Sequence, residues 1–127
     1  MALLTIGKNG FPMPRNLDPE KAATTAAAAI QSLNHITLNG KITAPQLSAT
    51  VQALLGMVRR LDQTFDQLGQ QLDGRLREDD ISMDTGEDPA AVVPGVREAL
   101  AESCAAAEVL AAALQKVASP LWQMAAR

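Results

Sequence analysis

This 127-residue chain has no tyrosine, one tryptophan, one cysteine and one histidine, and aromatic residues make up 2% of it. Each scarcity excludes something. Binders of single-stranded nucleic acid interleave aromatic rings with basic residues, and that pattern is missing here. A lone Cys104 leaves no intrachain disulfide and no cysteine-based zinc site. It sits in an Ala-rich run and reads as a small apolar residue. Enzyme chemistry brings a nucleophile and a base together in a pocket. With one His and one Cys, and no local motif joining His35 to Cys104, the chain is expected not to be an enzyme. His35 falls near the end of the first predicted helix, where a cation suits the helix dipole.

A basic face is also missing. The net charge is −3, and residues 79–91 hold five acids and no base. A nucleic-acid binder would show the reverse. Oxygen side chains alternate through residues 80–88, as in a calcium-binding loop. However, glycine falls seventh rather than sixth, and Ala91 stands where the bidentate Glu belongs. The run reads as a solvated acidic connector, and no metal or cofactor is expected. The N-terminus lacks a basic region before its short apolar stretch. No uninterrupted run approaches the roughly 18 apolar residues of a membrane span. The expectation is no signal peptide, no membrane segment and no membrane partner, with a cytoplasmic location or a place inside an assembled particle.

The chain does have a ladder. Leu47, Val51, Leu54, Val58, Leu61, Phe65, Leu68 and Leu72 follow at spacings of 4, 3, 4, 3, 4, 3 and 4. Leu fills every d position, and Val, Val, Phe and Leu fill a. This predicts a long helix, from about residue 44 to 78, whose apolar stripe needs helical partners. Leu55 and Met57 widen the stripe in the first half. The second half narrows to a seam, and Gly69 beside it permits close approach. The g positions Thr50, Met57, Thr64 and Gln71 carry no charge, which argues against a simple dimeric zipper. Thr43-Ala44-Pro45-Gln46 has the spacing of a capping box.

After Asp88-Pro89, residues 89–93 read as a turn of helix or an irregular lead-in, and a second long helix proper is predicted from Pro94. Val96, Leu100, Ser103, Ala107, Leu110, Leu114 and Val117 form its ladder, and it ends or kinks at Ser119-Pro120. Small residues in the middle of that ladder predict a close approach by another backbone. The Ala face of the first helix, through Ala26, is the expected neighbour. That first helix starts at Asp18-Pro19-Glu20, where Asp18 caps and Pro19 suits the first turn. Asn34 is its expected stop. Residues 36–43, near-symmetric about Asn39-Gly40, read as a small β-hairpin with a type I′ turn. The competing reading is a plain helix–helix loop.

Residues 1–17 read as an extended arm. Gly7, Gly10, Pro12 and Pro14 rule out a helix there. Residues 3–6 suit a short strand, and Lys8-Asn9-Gly10 reads as a turn. Leu3, Ile6 and Phe11 make the arm too apolar for a solvated tail. It docks either on its own bundle or on another chain.

The expected fold is therefore mainly α: an antiparallel bundle or coiled-coil hairpin of two long helices, with a short Ala-rich helix and the arm. Residues 18–127 are expected to form one helical domain. The expected role is structural: a self-associating subunit of a larger particle, such as a phage-like virion or tail. Leu61, Phe65, Leu68, Leu72, Leu3, Ile6, Phe11 and Trp122 are the candidate contacts, with Ala26, Ser103 and Ala107 as close-packing positions. The partner is then protein, chiefly a second copy. Two other readings fit: a regulatory adaptor or inhibitor that binds through the ladder helix, and a bundle that holds an apolar small molecule.

Overall fold

The computed structural model describes residues 18–125 together with two short strands nearer the N-terminus. The fold is mainly α. The elements are β1 (Leu4–Ile6), β2 (Pro12–Pro14), α1 (Pro19–Asn39), α2 (Ala44–Arg77) and α3 (Pro89–Leu121). The chain divides into two units, Met1–Ile42 and Thr43–Arg127. The division falls between α1 and α2.

In the first unit β1 and β2 pair antiparallel, with Thr5 opposite Met13. The strand expected at residues 3–6 is present as β1, and its partner is Pro12–Pro14. Two prolines leave β2 a single backbone donor, at Met13. The turn expected at residues 8–10 and the side chains of the arm, Leu3, Ile6 and Phe11 among them, lie outside the described residues.

The hairpin expected at residues 36–43 does not form, and Asn34 does not stop α1. The helix runs on to Asn39, and Gly40 closes it with its amide bonded to the Ile36 carbonyl at 2.9 Å. Gly40 is extended, at φ −103° and ψ 154°, so Asn39-Gly40 makes no type I′ turn. Each further helical residue adds a backbone bond to an existing helix, while a lone two-stranded ribbon is marginal. Thr37 donates to Leu33 O at 2.9 Å and Asn39 Nδ2 donates to His35 O at 3.0 Å, tying both side chains back onto the helix. A β-carbon at residue 40 would stand 2.9 Å from the Ile36 oxygen, which explains the glycine. At the other end Asp18 accepts from the Glu20 and Lys21 amides at 3.0 and 3.3 Å, as its position implied.

The second unit is a pair of packed helices, α2 against α3. The capping box is complete: Gln46 N donates to Thr43 Oγ1 at 3.3 Å, and Thr43 N donates to Gln46 Oε1 at 3.0 Å. The far end of α2 closes with a Schellman motif. Asp79 N bonds Leu76 O at 3.1 Å and Asp80 N bonds Arg75 O at 3.2 Å, with Asp79 left-handed at φ 55°. Asp88 caps α3 through the Ala90 amide at 3.0 Å. The helix starts at Pro89 rather than Pro94, and Pro94 is accommodated within it. It ends one residue past Pro120, with Trp122 as its cap.

The core between these helices is thin. The buried apolar residues are Leu55, Val58, Val93, Ala107 and Ala118, and among the described residues no side chain is completely buried. The contact uses the a row of the ladder, Val51, Val58, Phe65 and Leu72, together with the e row, Ser48, Leu55, Asp62 and Gly69, each buried or half-buried. The stripe read from the sequence is rows a and d, widened in the first half by Leu55 and Met57, so the contact differs from it by using row e in place of row d. α3 takes the a and e side. Its own inward row is Val93, Arg97, Leu100, Cys104, Ala107 and Ala111, continuing to Leu121. The ladder expected for α3 shares Leu100, Ala107 and Leu114 with this row, while Val96, Leu110 and Val117 turn outward at 41%, 48% and 44% exposure.

Candidate assembly surface

Packing through rows a and e gives the α2–α3 pair two flanks of opposite character. At about 100° per residue, rows b and d of α2 lie on either side of the contact. Arg59 of row b donates from Nη2 to Gln115 Oε1 on α3 at 2.9 Å. That bond assigns the b side of α2 and the Gln115 side of α3 to one flank. This flank is polar, carrying Gln52, Arg59, Asp66 and Asp73 on α2. Arg97 Nε meets Asp73 Oδ2 at 3.2 Å.

The opposite flank carries row d of α2, Leu47, Leu54, Leu61 and Leu68, beside Val96, Ser103, Leu110 and Val117 of α3. Leu47 and Leu68 are 41% and 50% exposed. The outer rim is Thr50, Met57, Thr64 and Gln71 on α2 and Ala99, Ala106 and Ala113 on α3. These rows contain no Asp, Glu, Lys or Arg from residue 47 to 71 or from 92 to 117. Large continuous apolar surfaces on soluble proteins mark places where something binds.

The candidate contact residues distribute between seam and flank. Leu61 and Leu68 belong to the exposed flank, with Leu61 half-buried. Phe65 and Leu72 are half-buried and face α3 in the same chain. Trp122 is 73% exposed at the end of α3. Ala107 is buried in the α2–α3 contact, Ser103 is half-buried at its edge, and Ala26 is exposed on α1. Val96, Leu110 and Val117 join the surface as neighbours of the d leucines, a grouping that depends on the rotation of α3. Their membership of an apolar ladder was visible in the sequence. Their outward direction was not.

Open grooves lie along the polar flank. One of about 470 Å³ is lined by Gln52, Leu55, Arg59, Gln115 and Trp122. One of about 400 Å³ is lined by Phe65, Asp66, Arg97 and Cys104. Cys104 Sγ donates to the backbone oxygen of Asp62 at 3.4 Å. Burial raises the thiol pKa above its ordinary value, and the Asp62 hydrogen bond and the Asp62, Asp66 and Glu108 charges push the same way. His35 stands on exposed α1 with Asn39 Nδ2 3.4 Å from its Nδ1. Among the described residues no three His, Cys, Asp or Glu side chains gather as metal ligands would.

By length and composition α3 is apolar enough to cross a membrane. An uninterrupted-run criterion misses this because Glu108 and Lys116 punctuate an otherwise Ala-, Leu- and Val-rich segment. In this fold α3 instead pairs with α2 through Arg97–Asp73 and Gln115–Arg59.

Comparison with protein-family models, with curated proteins and with solved structures found no match for this chain.

Proposed function

We propose that this chain is a non-enzymatic structural protein that works through helix–helix self-association, as a subunit of a larger assembly such as a phage-like virion or tail particle. The observation that supports this reading is the exposed apolar flank of the α2–α3 pair, with Leu68 at 50% and Leu110 at 48% exposure. Two helices form a single layer, and stable domains bury their apolar stripes between two layers. A layer with no completely buried side chain gains its second half by association. The two reactive side chains have other occupations: Cys104 bonds a backbone carbonyl, and His35 lies against Asn39. The location consistent with this role is the cytoplasm or the assembled particle, with protein as the partner.

Light scattering on the full chain at two concentrations tests the reading. An oligomer whose mass rises with concentration is expected. A strictly monomeric protein at the higher concentration overturns it. The adaptor reading gains if a single other protein co-purifies stoichiometrically while self-association is absent.

A further inference from the structure

We infer that the apolar flank docks a second copy of this chain face to face, with the leucine row of α2 from one copy seated on the small residues of α3 from the other. The inference rests on the self-association reading and deepens it by assigning the surface and the register.

Three observations carry it. The first is shape. Leu47, Leu54, Leu61 and Leu68 form a ridge at seven-residue intervals, and two of them are more than 40% exposed. On the matching side of α3, Ala99, Ser103, Ala106 and Ala113 offer small side chains between the larger Val96, Leu110 and Val117. Ridges pack into grooves, and one chain carries both halves, as a two-fold contact requires. The second is size. From residue 47 to 71 the flank runs roughly 36 Å. Two helices packed 8–10 Å apart present a face about 20 Å wide. Each copy then covers about 700 Å², or about 1,400 Å² in total, within the size of stable protein interfaces. The third is charge. The other flank holds Arg59, Asp66, Asp73 and Glu108. The apolar flank offers no charge to choose a charged partner, and against a copy of itself it leaves no charge buried without a mate.

The register follows from contacts within one chain. Cys104 lies beside Asp62, and Arg97 crosses Gly69, so α2 and α3 run antiparallel with these levels aligned. A two-fold axis parallel to the helices keeps each level opposite itself. Leu61 of one copy then faces Ser103 and Ala106 of the other, and Leu68 faces Val96 and Ala99. The alternative two-fold, perpendicular to the helices, would instead lay α2 on α2.

The test uses full-length chains carrying Cys104→Ser, so that no native thiol competes. One batch carries Leu61→Cys and a differently tagged batch carries Ala106→Cys. Mixing followed by mild oxidation is expected to give disulfide-linked heterodimer in excess over either homodimer. Homodimer of Leu61→Cys in excess would mean α2 lies on α2 and overturns the register. A second variant, Leu61→Asp with native Cys104, is expected to lower the mass to monomer with helical circular dichroism retained. If that variant stays as large as the wild type, the surface is elsewhere, although self-association itself stands. If the wild type is already monomeric, both the inference and the reading beneath it fail.

Discussion

Arg97 of α3 lies across Gly69 of α2: its guanidinium fills the space that a β-carbon at residue 69 would take, and its Nε holds Asp73 Oδ2 at 3.2 Å. A glycine inside a helix costs about 1 kcal/mol against alanine. The arginine crossing is what that cost supports. Gly69→Ala sets two effects against each other. The helix gains about 1 kcal/mol, while Arg97 must swing aside and release an ion pair that, at about one-third exposure on each side, is worth about 0–1 kcal/mol. A net change within about 0.5 kcal/mol is expected on these magnitudes. Asp73→Ala should then cost nothing further in the Gly69→Ala background. Urea melts of the four chains in that cycle measure it. Gly69→Leu should destabilise by about 1–3 kcal/mol through overpacking.

Ala107 is 6% exposed, in the middle of the α2–α3 contact. Ala107→Leu adds three carbons where α2 already sits, and a loss of about 1–3 kcal/mol is expected. A thermal melt reads it directly. A raised melting temperature would mean that the small residues line an unfilled cavity, which is the behaviour of a ligand-binding bundle.

Asp79 is left-handed at φ 55° in the Schellman turn that ends α2. Glycine adopts that backbone without steric cost. An acid beyond a helix C-terminus also opposes the dipole. Asp79→Gly is expected to raise stability by about 0.5–1 kcal/mol. Unchanged or lowered stability in a denaturant titration would show that the Asp79 side chain contributes something its geometry does not reveal.

Thr43 and Gln46 satisfy each other's amides at the start of α2. Thr43→Ala removes the hydroxyl acceptor, and a cost of about 1 kcal/mol is expected. Amide exchange should quicken first at Gln46, whose amide loses its acceptor. Protection unchanged along that turn would argue that water replaces the cap without loss.

Cys104 has its pKa raised in the folded chain, chiefly by burial and then by Asp62. A raised acid pKa means the native state holds its proton more tightly than the unfolded chain does. The stability this contributes is complete below the unfolded thiol value of about 8.5. It is lost as pH rises through the higher folded value. Melts across the alkaline range should therefore fall more steeply for the wild type than for Cys104→Ala. Alkylation of Cys104 near neutral pH should also be slower than that of a small free thiol. Equal slopes for the two chains would show that folding leaves the thiol's affinity for its proton unchanged.

Local chemistry made much of this fold legible before any packing was known. Asp18 and Thr43 with Gln46 mark the starts of α1 and α2 because a side-chain oxygen there meets amides two or three residues on, a relation internal to the chain. The heptad spacing of Leu47 to Leu72 established a long apolar helix for the same reason. Residues 36–39 were misread because the choice between strand and helix there is cooperative. Asn39-Gly40 suits a hairpin taken alone, but a helix already running from Pro19 extends at little cost. The sequence also determined which residues are apolar. Which side of the stripe meets α3 was decided by tertiary packing: the ladder favours rows a and d, yet α3 covers rows a and e, where Ser48 and Gly69 are small enough to lie buried beneath it. The rotation of α3, the passage of Arg97 over Gly69, and the exposure of Leu68, Val96 and Leu110 all follow from that choice. Periodicity gives the width of a stripe, and only the partner's position says which part of it is left facing water.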